Sequence, residues 1–419
     1  MPKSNGMNKI KGFMVSNIVP IVFIIVCMIG VAFSGSAPSI IMMDVISRFS
    51  RNAFLVISLI IPILTGLGLN FGIVLGAMAG QISLLIVCVA GMNGLSAVIA
   101  ASALSVPLAV FLGWLTGKLL NNTKGSEMIT SMILGFFASG VYQFLLLFVW
   151  GGIIPIDAPG IMLDSGIGVR SAVNLNNLKY AIDNIWKMDI FTAGIIFSLI
   201  FLIINAVKLL KRTDKTKVRT VVNIAVFAAI FVICFWASHA DACKKMKALC
   251  QIPMVTFGLI ALLCMFVPAF LKTKLGQDMR AVGQDMKVAS VAGIDVDKTR
   301  IIATCISTVL ASFGQIIFLQ NLGNMSTYSA HENVGMFSAA ALLIGGASVS
   351  KATVGQAIMG TILFHVLFNV SPMAGKNIFG SAELGEYFRV FIAYGIIAVT
   401  LALYAWKKTV QAREKNKVQ

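Results

Sequence analysis

Residues 279–300 read MRAVGQDMKVASVAGIDVDKTR, a polar island between two long apolar runs. Met279, Val282, Met286 and Ala289 recur at helical spacing and leave Arg280, Gln284, Asp285 and Lys287 off the stripe, as in a short amphipathic helix. Gly293 suits a stop for that helix, and Asp295 or Asp297 an N-cap for the next. Such a helix at a membrane face needs a surface to receive its stripe, either lipid headgroups or a groove in another protein. On charge and periodicity alone the stretch also reads as an ordinary basic cytoplasmic loop.

The surrounding chain has 419 residues, 58% apolar and 12% charged, where soluble domains carry about 25% charged residues. Most of it must therefore have lipid as its solvent. No polar stretch is long enough for a separate soluble domain. The expected organisation is a cytoplasmic N-terminus (1–14), one membrane domain (15–406) with the island at 279–300 as its cytoplasmic loop, and a basic cytoplasmic tail (407–419). The net charge of +17 is scattered over short loops and is not gathered with aromatics on one face, which argues against a nucleic-acid partner. Positive-inside topology accounts for it better.

The run at 15–33 follows Lys3, Lys9 and Lys11 and precedes SGSA, a superficial match to a signal peptide. It is longer than an h-region of about 7–15 residues, so an uncleaved first span with the N-terminus inside is expected. Further runs near 53–69, 72–90, 95–119, 129–151, 190–210, 221–238, 254–271, 301–319, 334–349, 352–370 and 387–406 approach the roughly 20 residues that a crossing needs. The fold class is all-α, a polytopic transmembrane bundle of about 10–12 spans, the regions 53–90 and 334–370 each being open to a re-entrant or broken reading. With all twelve as full crossings, both ends lie inside, and 23 Lys plus Arg face inward against 10 outward. That bias places the island and the tail in the cytoplasm.

Glycine is dense in two places. One is LTGLGLNFGIVLGAMAGQISLL (64–85) and the other FSAAALLIGGASVSKATVGQAIMGTILFHVLF (337–368). Such density lets helices approach closely, or lets one unwind where its backbone lines a cavity. No span reads as holding Asp, Glu, Lys or Arg near its middle. An ion-coupled carrier usually binds its ion on such a residue, so the chain reads as lacking its own energy input.

GWLTGKLL (113–120) is one residue short of a phosphate loop, lacks the Ser or Thr after Lys118, and sits in an apolar run. Neither HExxH nor GxSxG occurs. The seven cysteines have no metal-ligand spacing; Cys243 and Cys250, in a polar loop, are either bonded or two free thiols. What the spans do hold is neutral hydrogen-bonding groups, Asn70, Gln81, Gln143, Gln315, His365 and Asn369. They suit either interhelical bonding or a path for a polar neutral solute.

Arg280-Ala281-Val282-Gly283, followed by Ala289, by Ala292-Gly293-Ile294 and then by a span, resembles the cytoplasmic loop of permease subunits in the ribose, branched-chain amino acid and nucleoside group of ABC importers. Asn70-Phe71-Gly72 through Gly80-Gln81 is similar to the nucleoside-type branch, and Gly345-Gly346 with Gly355 to the family's C-terminal segment. The resemblance covers about 53–406. It implies a coupling helix that docks on a cytoplasmic ABC ATPase, carried here by Met279, Arg280, Ala281, Val282, Gly283, Met286, Ala289, Gly293 and Ile294. It places Asn70, Gly72 and Gln81 beside a translocation path, to which Gln143, Gln315, His365 and Asn369 are added as the remaining neutral polar groups of the spans. It further implies a second permease subunit, in a homodimer or heterodimer, and an external solute-binding protein on the face formed by 153–189. ATP and magnesium would be bound by the ATPase and not by this chain, which is not expected to be an enzyme or to hold a metal. The rival readings are an ion-coupled secondary transporter with broken helices and a membrane-embedded enzyme.

Overall fold

The computed structural model describes residues 17–211 and 217–381 and, with gaps, 383–406. The expected N-terminal segment and basic tail lie outside the described residues. Helix α1 (Ile18–Ser34) ends at Gly35 in the left-handed region. Pro38, whose fixed φ suits a first turn, opens α2 (Pro38–Ser58), which continues into α3 (Ile60–Leu64). Then follow α4 (Ile73–Val89), α5 (Gly94–Asn122) and α6 (Glu127–Phe144), the last extended by a wider turn to Val149. The long loop that follows carries β1 (Ala172–Asn174) and β2 (Lys187–Asp189). Next come α7 (Ile190–Lys211), α8 (Lys217–His239), the short α9 (Lys244–Leu249), β3 (Gln251–Pro253) and α10 (Met254–Phe270). The island forms α11 (Lys274–Gln284) and α12 (Met286–Val291). The chain closes with α13 (Val296–Leu322), β4 (Asn324–Ser326), α14 (Glu332–Ile344), α15 (Val354–Phe379) and a helical stretch from 383.

Among the described residues seven helices are long and apolar enough to cross a membrane, and α1, α4 and α14 are shorter apolar helices. At 13 residues and 1.5 Å per residue, α14 reaches only about 20 Å into about 30 Å of hydrocarbon. The 334–370 region is thus a short helix, a break and one full span. The first broken region differs from its expected bounds: the span is Pro38–Leu64, not 53–69. It includes Asp44, Arg48 and Arg51, which corrects the expectation that no span holds charge near its middle. The charges are accommodated locally: Asn369 Nδ2 donates to Asp44 at 3.1 Å, and Arg51 donates to the Ser47 carbonyl and hydroxyl.

The core is built around α13, which packs on α5, α4 and α2, while α15 packs on α1 and α2. Small residues make this possible. A Cβ on Gly76 of α4 would strike the Thr308 carbonyl, and one on Gly113 of α5 the Thr308 hydroxyl, so α13 lies wedged between two bare helix faces. Thr308 Oγ1 also donates to the Ala109 carbonyl at 2.9 Å, and Ser105 and Ser312 hydroxyls meet at 3.1 Å. By contrast α7 and α8 pack chiefly on each other.

The loop between α6 and α7 is tied to two later segments by strand pairing. β1 pairs antiparallel with β4, Ala172 opposite Ser326, and β2 with β3, Lys187 opposite Pro253. Buried Asp183 accepts hydrogen bonds from Thr256 and Asn321. Cys243 and Cys250 are free thiols, Cys250 being buried against Ser39.

Candidate functional site

The island does not form one helix. Asp285 adopts extended backbone at φ −156 and ends α11, and its carboxylate caps α12 by accepting from the amides of Lys287 at 2.8 Å and Val288 at 3.1 Å. Gly293, at φ +84, follows the end of α12, and Asp295 caps α13 through the Lys298 amide at 2.9 Å. Thr273 caps α11, whose axis turns 75° from that of α10.

Much of the apolar stripe packs against this chain itself. Met279, Val282 and Ala289 are buried, and Met279 packs with Ile61 of α3, Leu67, Leu120 and Ala303. At the point of contact two glycines cross. A Cβ on Gly283 would strike the Leu64 carbonyl, and one on Gly66, itself at φ +82, would lie 3.1 Å from the Gly283 Cα. No other residue type permits this approach of backbone to backbone. The turn that Gly66 occupies is the break between α3 and α4. The island is therefore seated on the break that follows the span Pro38–Leu64.

Of the other residues singled out there, Arg280 and Gly293 are exposed, and Ala281, Gly283, Met286 and Ile294 are half-buried. The surface facing away from the membrane helices presents Arg280, Gln284, Lys287, Val288 and Val291; Val288 is 66% and Val291 90% exposed. Two exposed β-branched residues between basic neighbours are a contact surface of mixed character.

The neutral polar residues do not form one site; they fall into three groups. Gln81, Gln143 and Gln315 converge on the turn 328–331 ahead of α14. Gln81 Oε1 accepts from His331 Nδ1 at 2.8 Å, Gln315 Nε2 donates to the Ala330 carbonyl at 3.3 Å, and Gln143 Nε2 reaches the Tyr328 carbonyl at 3.5 Å. His331 Nε2 meets the Ser139 hydroxyl at 3.2 Å, and Tyr142 packs edge-on to the ring at 4.8 Å. Asn70 and Gly72 belong to the break: Asn70 Oδ1 accepts from the Gly72 amide at 2.8 Å, and the Phe71 amide donates to Ser131 of α6 at 3.1 Å. His365 and Asn369 lie on α15 beside the charged part of α2.

His331, Ser139 and Tyr142 were not singled out from the sequence. His331 stands alone in a polar stretch there, and only the fold brings Gln81 to it across 250 positions. Asn70 Nδ2, Gln81 Nε2, Gln315 Oε1 and His365 Nδ1 are buried with no protein hydrogen-bond partner. Among the described residues no group of three His, Cys, Asp or Glu could hold a metal ion.

Membrane-length helices, breaks in two of the apolar regions and a polar island seated on one break define a multi-pass membrane protein of the permease class. Residues 41–401 match the family described as branched-chain amino acid transport system / permease component, and the chain belongs to that family of ABC permeases. It is 30% identical over 123 residues to the xylose transport system permease protein XylH of Haemophilus influenzae, covering 29% of this chain and 32% of that protein. It is 28% identical over 148 residues to the nucleoside ABC transporter permease protein NupC of Lactococcus lactis, 35% of this chain and 44% of that one. The galactose/methyl galactoside import permease protein MglC of Salmonella typhimurium is 29% identical over 147 residues, 33% and 40%. The matched stretches thus span a third to under a half of these relatives. No solved structure matches the chain.

Proposed function

We propose that this chain is the membrane-spanning subunit of an ABC importer and moves a small polar solute, a sugar or a nucleoside, by alternating access driven by a separate ATPase. The observation that carries the reading is the crossing of Gly283 with Gly66. A push on the island from the cytoplasm reaches the break between α3 and α4 directly, with no slack between the two backbones.

On this reading a cytoplasmic ATPase, with its own ATP and magnesium, docks on the face bearing Arg280, Gln284, Lys287, Val288 and Val291. A second permease subunit, identical or not, completes the path, and an external solute-binding protein meets the folded outer loop. Both termini lie in the cytoplasm of a cell-membrane protein. The buried amide and imidazole atoms without a protein partner suit a solute or water that brings its own hydrogen bonds, since leaving such atoms unsatisfied costs about 1–3 kcal/mol each. The relatives named for xylose, nucleosides and galactosides point to the same solute class.

The rival reading of an ion-coupled carrier draws on Asp44, Arg48 and Arg51 within the first long span. Asp44 accepts from Asn369, Asp183 from Thr256 and Asn321, and Glu386 from Arg389. A coupling ion would have to displace those bonds. The test is Val291→Asp in the assembled transporter. The expected result is loss of ATPase from the purified complex and of uptake, with membrane insertion unchanged. Uptake at the wild-type rate would overturn the docking face.

A further inference from the structure

The island has a second attachment that the Gly283 contact does not explain. Arg300, in the first turns of α13, is fully buried. Its Nη2 donates to Glu127 Oε1 at 2.7 Å and to the Leu120 carbonyl at 3.2 Å, and its Nη1 lies 3.0 Å from Met286 Sδ. Glu127 Oε2 accepts from the Gly125 amide at 2.9 Å. One guanidinium thus joins α12, α13, the end of α5 and the start of α6. Around it, Lys124 pairs with Asp297 at 2.5 Å and Asn121 donates to the Asp297 carbonyl at 2.9 Å.

A buried ion pair adds little stability over well-packed apolar residues of the same volume, so packing alone does not call for one here. What it supplies is direction: a planar group with fixed donors sets the angle and register of the elements it joins. The element it fixes is α6. That helix carries Ser131, which holds the Phe71 amide at the break, and Ser139, which holds His331 over Gln81.

We propose that Arg300 and Glu127 are positioning residues that clamp α12 to α6, so that displacement of the island reaches the Gln81, His331 and Ser139 group as well as the break. The proposal rests on the importer reading for its role in transport, but the clamp can be tested by itself. Ser290, an exposed residue of α12 outside the docking face, and Phe137, which is 69% exposed, are replaced by Cys and spin-labelled, and the distance between them is measured in lipid nanodiscs. It is read without nucleotide, and with the ATPase trapped by ATP and vanadate.

The clamp predicts one narrow distance that does not change on trapping, and the same in Lys124→Ala, whose ion pair is at the surface. Glu127→Gln keeps the side chain's volume but has one acceptor oxygen where the carboxylate has two, so it cannot accept from both Arg300 and the Gly125 amide, and a broadened distribution is expected. The double variant Arg300→Met with Glu127→Leu fills the site with apolar groups, and there the distance should broaden further and shift on trapping. A wild-type distribution in both variants, or a shift on trapping in the unsubstituted chain, would overturn the clamp. Failure of both variants to accumulate would overturn it too, by assigning the pair to folding alone. If no ATPase binds the unsubstituted chain, the importer reading fails, while the nucleotide-free distances still decide the clamp.

Discussion

Helices α7 and α8 and the span Pro38–Leu64 follow opposite rules. In an 18-residue apolar stretch of the span 72% of residues are buried, although the span carries Asp44, Arg48 and Arg51; in the matching stretch of α8 only 11% are buried, and Val221, Val222, Val232, Ile233, Phe235 and Trp236 are all exposed. In water the more apolar helix would be the core. In lipid the apolar surface costs nothing to expose, and polar groups are the ones that must find partners inside. What holds this molecule together is thus close backbone contact and buried hydrogen bonding around α13, and the hairpin α7–α8 lies at its margin, packed chiefly on itself.

That contrast orders the expected effects of substitution. The largest belongs to Gly283→Val, which places a side chain on the Leu64 carbonyl. Overpacking of about 1–3 kcal/mol, at about 1.4 kcal/mol per tenfold change in rate, predicts an uptake loss of roughly 5- to 140-fold with normal insertion, checked by uptake per inserted molecule. His331→Leu comes next. It removes the partner of Gln81 and Ser139, and a hydrogen bond contributes about 0.5–1.5 kcal/mol net, so solute affinity should fall by roughly two- to tenfold; equilibrium binding or KM for uptake would show it.

Thr308→Val removes one interhelical hydrogen bond to Ala109, and such bonds average about 0.6 kcal/mol in membranes, so a small drop in thermal stability in detergent is expected. Ile233→Leu, on the exposed face of α8, should change neither stability nor uptake beyond about 0.5 kcal/mol. A large effect at Ile233, or none at Gly283, would erase the distinction between the two regions.

The same contrast sets what is readable from residue order. The island, its stop at Gly293 and its cap at Asp295 are local signals, carried by residues within a few positions of one another. The glycine-rich breaks are likewise local. Three things are not. Pro38–Leu64 hides in a hydropathy reading, because Asp44, Arg48 and Arg51 lower its score while Asn369, the partner of Asp44, lies 325 positions away. The split of the island at Asp285 depends on a side-chain cap that competes with helix continuation. And the destination of the Met279 stripe follows from its packing on Ile61 and Ala303, which no periodicity encodes.

The division of labour between path and power is tested most directly in liposomes holding the purified chain, with radiolabelled uridine, xylose and galactose outside. The account predicts that none enters under a proton or sodium gradient with the chain alone, and that one enters once an ABC ATPase, ATP and the solute-binding protein are added. Gradient-driven entry through the chain alone, without nucleotide, would contradict it.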